Sequence, residues 1–422
     1  MAADEAPMDR MPIDRSPVGQ SLVVTVSGPD RPGISVRIFE RLAWLGLDLL
    51  DVEQVQVHGR LLLCLEVGAP ADAEAGAAWV QESVEEALGG LQVGPGRLQV
   101  AVTKVAADRE AARGPRQLVT VLAPRLPAAA LGGIFERIAA GGGNVDRIVR
   151  LSRYPVTSYQ LVVSGGDPVR LRRELAAEAA RQSVDVAVQR AGLHRRAKHL
   201  IVLDVDSTLL QGEVIDLLAE RAGCAAEVAA VTTAAMAGEV DFGEAMHRRL
   251  ALLAGLDAGV LDEVAADLVL APGARTLVRT LKRLGYVTAV VSGGFVQVIE
   301  GLAADLGIDH VAANTLEIAD GRLTGRLVGA MVDRAGKAAA LHRFAAAAGV
   351  PAAQTIAVGD GANDLDMLAA AGLGIAFNAK PAVRDAADTT LNVPYLDAIL
   401  FLLGISRDEI EAADDGSPEK SK

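Results

Sequence analysis

The stretch HLIVLDVDSTLLQGEVID, His199–Asp216, sets four apolar residues in an unbroken row, ends that row with two aspartates one residue apart, and then turns to a helical pattern. An apolar run without alternation fits a strand covered on both faces, as in a parallel sheet. In open parallel sheets, ligands bind beyond the carboxyl ends of the strands, which is where Asp204 and Asp206 stand.

Downstream the same grammar repeats. Short β-branched runs, GYVTAVVS, HVAAN, QTIAVGD, GLGIAF and TTLNV, alternate with helical patterns, which predicts an α/β, doubly wound parallel sheet over residues 198–410. Two segments interrupt the alternation. Residues 211–272 are long enough for a small helical cap, and Thr315–Gly329 predicts a hairpin turning at Asp320-Gly321.

Upstream the chain repeats itself. SLVVTV at Ser21 and QLVTVL at Gln117 start 96 positions apart, and so do the two IFER segments at Ile38 and Ile134. Each copy has the periodicity strand, helix, strand, strand, helix, strand, so residues 19–105 and 116–190 are expected to be two α+β βαββαβ domains. Ala106–Arg116 has the composition of a connector, and the basic segment Gln189–His199 that of a solvated linker. Residues 1–18 and 411–422 are polar and predict disordered tails.

Composition removes several functions. The 422 residues are 51% hydrophobic with a net charge of −13, so the basic footprint of a nucleic-acid binder is missing. No run reaches the length of a membrane span and no signal peptide opens the chain, so a cytoplasmic protein without membrane or nucleic-acid partners is expected. Cys64 and Cys224 have no ligand or disulfide spacing and are expected in cores.

Four motifs at strand ends carry the chemistry. Asp204 can serve as a nucleophile, and Asp206, two residues on, as acid and then base. GDGANDLDML, Gly359–Leu368, supplies Asp360, Asn363 and Asp364, hard oxygen donors suited to Mg2+. VVSGGF places Ser292 and Gly293 before a helix as an anion cradle, and Lys337 opens a helix after the hairpin. In the cap, Glu213 can accept an ammonium and Arg249 can fork onto a carboxylate. Together they describe a pocket for a phosphorylated amino acid.

The order DxD, SGG, K, GDGxND resembles the haloacid dehalogenase superfamily of phosphatases, over residues 198 to about 405. The resemblance implies that Asp204 attacks phosphorus, that Asp204, Asp206 (through its carbonyl) and Asp360 hold Mg2+, that Ser292, Gly293 and Lys337 hold phosphoryl oxygens, and that Asp364 and Asn363 orient the lysine and the metal shell. With AMAGEVDF and RRLALL added, the pattern resembles phosphoserine phosphatases. That implies hydrolysis of O-phospho-L-serine, the last step of serine biosynthesis, with Glu213, Met236 and Arg249 against the serine moiety. Ala237 stands where relatives often carry glycine, which bears on pocket size.

Each duplicated unit resembles an ACT domain, which implies amino-acid binding and a homodimer. GPDRPGI in the first copy offers Asp30 and Gly33 to an L-serine effector; 96 positions on stand Leu126 and Ala129. Two alternatives remain: a phosphatase or phosphotransferase for another small phosphorylated alcohol such as phosphohomoserine, and an amino-acid-responsive regulatory protein. An ion pump, which shares the aspartyl-phosphate motif, fails for want of membrane spans.

Overall fold

The structure, a computed structural model, describes residues 21–68, 76–93, 96–104, 116–192, 195, 197–237 and 239–416. The expected N-terminal tail, residues 106–115 of the connector and residues 417–422 lie outside them. The chain divides into two compact units, residues 1–112 and 113–422.

The first unit runs β1 (Ser21–Pro29), helix Ile34–Ala43, β2 (Asp48–Val57), β3 (Arg60–Gly68), helix Gly76–Gly89, the short pair β4 (Gln92–Val93) and β5 (Gly96–Arg97), and β6 (Gln99–Lys104). Its sheet has the order β2-β3-β1-β6. Alternate residues Leu22, Val24 and Val26 face Ile34, Ile38 and Leu42 of the first helix, the period-2 and period-3.6 stripes that the sequence carries.

The second unit opens with the same plan: β7 (Gln117–Ala123), helix Ala128–Ala140, β8 (Gly143–Ser152), β9 (Thr157–Gly165), helix Pro168–Gln182 and β10 (Asp185–Arg190), in the order β10-β7-β9-β8. The repeat is not uniformly 96 residues. The helices keep that offset, Ile34, Ile38 and Leu42 answering to Ala130, Ile134 and Ile138. In the first strand, however, Leu22 pairs with Val67 while Gln117 pairs with Val163, an offset of 95. A one-residue slip would send every side chain to the wrong face, so the second copy takes its extra residue in the loop. Asp30 therefore answers to Arg125 counted from the strand or Leu126 counted from the helix, and neither is a carboxylate.

The phosphatase-like sheet follows: β11 (Leu200–Asp204), β12 (Val287–Phe295), β13 (His310–Ala319), β14 (Arg322–Val328), β15 (Thr355–Gly359), β16 (Gly374–Phe377) and β17 (Thr389–Leu391), in the order β14-β13-β12-β11-β15-β16-β17. All pairs are parallel except β13 with β14, the predicted hairpin, whose Asp320 and Gly321 both take positive φ. β11 is buried along its whole length. Leu200 and Val202 meet the helix Arg334–Ala347, while Ile201 and Leu203 face the opposite layer with Leu277 and Leu281. The chain steps outward from β11 through β12 to β13 and returns to its other side at β15, which makes β11 the point where strand order reverses. Helices Val214–Ala222, Ala225–Met236, Phe242–Leu252 and Val260–Ala266 form the inserted cap.

The second βαββαβ sheet shares the core of the seven-stranded sheet. Leu122, Leu151, Val156 and Ala187 belong to one cluster with Ile399, Phe401 and Ile410. Two basic residues of the expected solvated linker are instead tied down: Arg195 donates to the Leu402 carbonyl at 2.8 Å, and Lys198, 6% exposed, donates to the Ala353 carbonyl at 2.7 Å. The tail expected from residue 411 begins instead as helix. Arg407–Asp415 is capped by Ser406, buries Ile410 and pairs Asp414 with Arg279 and Arg283 at 2.5 Å each. Cys64 and Cys224 are half-buried free thiols, and Cys224 packs against the edge of the core.

Candidate active site

β11 ends at Asp204, and the chain leaves the sheet through a tight turn in which Ser207 takes a left-handed φ of 59°. That conformation strains a non-glycine residue, and it throws Asp206 back toward the sheet. Asp206 Oδ1 accepts the Val214 N–H at 2.8 Å and Oδ2 accepts the Ser292 hydroxyl at 2.8 Å, so the carboxylate is held between the cap's first helix and β12.

Asp204, Asp206, Glu213, Arg249, Gly293, Lys337, Asp360 and Asn363, drawn from six separate segments, line one pocket of about 520 Å3. That size suits a small-molecule ligand. Lys337, 1% exposed, lies between two carboxylates: it donates to Asp204 Oδ1 and, at 2.7 Å, to Asp364 Oδ1. Burial opposes its charge, yet those two carboxylates hold the ammonium protonated, above the usual lysine range. Asp364 is fully buried, and its second oxygen accepts the Gly361 N–H at 3.0 Å.

One ammonium does not balance the acids. Burial, followed by the charge of Asp364, pushes the Asp204 carboxyl well up, with Lys337 opposing. The same two causes raise Asp360 to about 6. Carboxylate oxygens of Asp204, Asp360 and Asp364 lie within 4.8 Å of one another, a concentrated set of hard donors under-compensated by cation, which fits a divalent metal. Asp206 is not in this trio; its carboxylate is engaged with Val214 and Ser292, leaving its backbone carbonyl for the expected metal role.

One expectation meets a different geometry, and another falls outside the described side chains. Ser292, expected to hold phosphoryl oxygens, lies behind the pocket wall, where its fully buried hydroxyl donates to Asp206 and accepts the Gly294 N–H at 2.6 Å. Met236 ends the helix Ala225–Met236, and its side chain falls outside the described residues. In the first unit, Gly33 opens the helix Ile34–Ala43 at φ 86° with no side-chain cap, and Asp30 is tied by its backbone N–H to the Gly59 carbonyl at 2.8 Å.

Glu213 and Arg249 face the pocket from the cap. Burial and the Asp206 charge raise the Glu213 carboxyl, and burial lowers the Arg249 guanidinium. Arg249 is 8% exposed, and its Nε has no hydrogen-bond partner among the described residues. A buried guanidinium with an orphaned N–H is costly unless a ligand completes it.

Other wall residues escaped the sequence reading: Phe242, Ala245 and Met246 beside Arg249, and Arg334 and Lys380. The first three have a legible signal, since positions 242, 245, 246 and 249 form one helical stripe behind the N-cap Asp241. Asn314 is also new. Its amide donates to the Gly293 carbonyl at 2.7 Å and its oxygen accepts the Val332 N–H at 2.7 Å, tying the glycine turn to the segment ahead of Lys337.

Comparison with known proteins agrees with this geometry. The model of the haloacid dehalogenase-like hydrolase family matches residues 201–369, and ACT-domain models match residues 20–87 and 117–189. A phosphoserine phosphatase of Streptomyces coelicolor is 55% identical over 395 residues, covering 93% of this chain and 94% of the relative. One of Mycobacterium tuberculosis is 53% identical over 399 residues, covering 94% and 96%. Among solved structures, a probable phosphoserine phosphatase of Vibrio cholerae has a TM-score of 0.55 at 32% identity, covering 71% of this chain and 89% of that one. A haloacid dehalogenase-family hydrolase of Salmonella enterica has a TM-score of 0.60 at 28% identity, covering 68% and 98%. The chain therefore belongs to the phosphoserine phosphatase family, haloacid dehalogenase-like hydrolases that here carry two ACT domains ahead of the catalytic one.

Proposed function

We propose that this enzyme hydrolyses O-phospho-L-serine to L-serine and phosphate through an aspartyl-phosphate on Asp204, with Mg2+ as cofactor, as the last step of serine biosynthesis. The observation that carries the substrate is Arg249, buried in the pocket wall with an unpartnered Nε and Glu213 facing the same space. A guanidinium fork takes the substrate carboxylate, and Glu213 takes its ammonium.

Asp204 attacks phosphorus in line; the P–O bond to serine breaks, and Asp206 gives its proton to the departing alkoxide. Water then attacks the aspartyl-phosphate, Asp206 recovers a proton from it, and the acyl-phosphate P–O bond breaks to release phosphate. Hydrogen bonds from Val214 and Ser292 orient Asp206 for both transfers. Lys337 and the Gly293 turn meet the phosphoryl oxygens, while Asp364 and Asn363 orient the lysine and its surroundings. Asp204, the Asp206 carbonyl and Asp360 would hold the metal, which when bound neutralises phosphoryl charge.

We assign residues 198–410 to the catalytic domain and residues 19–105 and 116–190 to the ACT domains. L-serine as effector at Asp30 and Gly33 of the first copy is supported by the uncapped helix start there. A homodimer in the cytoplasm completes the proposal; two unpaired cysteines suit a reducing compartment.

The test is phosphate release from phosphoserine, phosphothreonine and phosphohomoserine, with Mg2+ and with chelator. Metal-dependent preference for phosphoserine, abolished in Asp204→Asn with the fold intact, is expected. A flat profile would remove the assignment of Glu213 and Arg249, and near-normal turnover by Asp204→Asn would remove the nucleophile.

A further inference from the structure

Between Val291 and Phe295 the parallel ladder breaks. β12 advances four residues, from Val291 to Phe295, while β13 advances two, from Ala312 to Asn314. The surplus leaves the ladder around Gly293 and Gly294, and buried backbone groups that leave a ladder need partners from elsewhere. Side chains supply them. The Asn314 amide donates to the Gly293 carbonyl at 2.7 Å, and the Gly294 N–H donates to the Ser292 hydroxyl at 2.6 Å. The single peptide unit between Gly293 and Gly294 is therefore held at its carbonyl by Asn314 and at its N–H by Ser292.

This clamp reaches the catalytic carboxylate. A serine hydroxyl carries one proton. With the Gly294 N–H on its oxygen, Ser292 gives that proton to Asp206 Oδ2 at 2.8 Å, and Asp206 Oδ1 accepts the Val214 N–H at 2.8 Å. At the far end the Asn314 oxygen accepts the Val332 N–H at 2.7 Å. From Val332 to Val214, each link is a hydrogen bond of 2.8 Å or less, a side chain, or the Gly293–Gly294 peptide itself.

Asn314 is 2% exposed, and both ends of its amide are engaged. A carboxylate could accept from Val332 but not donate to Gly293; the amide does both on one rigid plane. It thereby fixes the spacing between the glycine turn and the segment ahead of Asp333, the N-cap of the helix that carries Lys337.

We propose that Asn314 is a positioning residue for Asp206: through the Gly293–Gly294 peptide and Ser292 it sets the place of the carboxylate that protonates the leaving alkoxide. This rests on the reading of Asp206 as acid and then base. Loss of the amide lets the peptide tip and turns the Ser292 hydroxyl away, which costs proton transfer more than phosphate binding.

The experiment uses the full chain with Asn314→Leu, Asn314→Ala, Ser292→Ala and Asn314→Leu/Ser292→Ala, the alanine variant of Asn314 serving if the leucine variant does not fold. Steady-state and single-turnover rates with phosphoserine are compared with single-turnover release of p-nitrophenol from p-nitrophenyl phosphate, and inorganic phosphate binding is read by calorimetry. Asn314→Leu is expected to lower kcat with phosphoserine by about ten- to a hundredfold, with KM and phosphate affinity within about threefold. The aryl ester, whose leaving group departs with little need of a proton, should lose no more than about threefold. On top of Ser292→Ala, Asn314→Leu should lower kcat by no more than about twofold, because it acts through that serine.

A kcat near wild type in Asn314→Leu would overturn the proposal. So would equal losses on the two esters, the mark of a displaced Lys337 rather than a displaced acid, or a loss confined to KM and phosphate affinity. Multiplying effects in the double variant would overturn the route through Ser292. If the wild-type chain did not turn over phosphoserine, the substrate reading would fall, and the alkyl phosphate it does hydrolyse would take the same place beside the aryl ester to decide Asn314.

Discussion

At the scale of single residues, the site is a charge imbalance held in place by burial. Lys337 sits between Asp204 and Asp364, and Asp360 is left with a carboxyl raised to about 6. A folded value above the ordinary carboxylate range means that, without metal, this group favours the folded state at low pH. The contribution is lost as pH climbs from about 4 to about 6 and the buried carboxyl ionises. A divalent cation offsets that loss, but below about pH 6 it competes with a proton. The rise in melting temperature caused by Mg2+ is therefore expected to be small at about pH 5 and full by about pH 7.5, measured by scanning fluorimetry. A metal-induced rise independent of pH would show that Asp360 is not a ligand.

At the scale of elements, chemistry is placed by how strands end. β12 loses its register with β13 between Val291 and Phe295, and the displaced turn brings Ser292 against Asp206. A Cβ on Gly294 would stand 2.9 Å from the Ser292 hydroxyl and 3.0 Å from Asp206 Oδ2, so that one or both side chains must give way. Gly294→Ala is expected to displace the Asp206 carboxylate and lower kcat by about a hundredfold while circular dichroism stays unchanged; a kcat near wild type would show that Asp206 tolerates the shift. The apolar runs, the Asp320-Gly321 turn and the DxD position were legible because each is a local pattern. The inward turn of the Ser292 hydroxyl was not, since it depends on where Asp206, 86 positions earlier, arrives in space.

At the scale of the whole chain, the second ACT copy does not keep its core to itself: Leu122, Leu151, Val156 and Ala187 join the core of the catalytic domain. The Leu402 carbonyl, at the end of a fully buried helix, is completed by Gln189 at 3.0 Å and Arg195 at 2.8 Å. A chain beginning at Lys198 would expose this apolar face, a loss on the order of several kcal/mol. Its melting midpoint is expected to fall at least about 10 °C below that of a chain beginning at Arg116. Equal midpoints would show that the shared core adds no stability.

The sequence by itself determined the duplicated βαββαβ plan, the doubly wound sheet, the inserted cap and most of the residues that meet in the pocket, because strand period, turn chemistry and strand-end motifs are written in neighbouring residues. Only the tertiary structure decided the one-residue slip between the copies, the burial of Lys198 and the half-burial of Arg195, the helix at Arg407–Asp415, and the place of Ser292 behind the wall. Each of these depends on partners far apart along the chain, and burial, not local pattern, selects them.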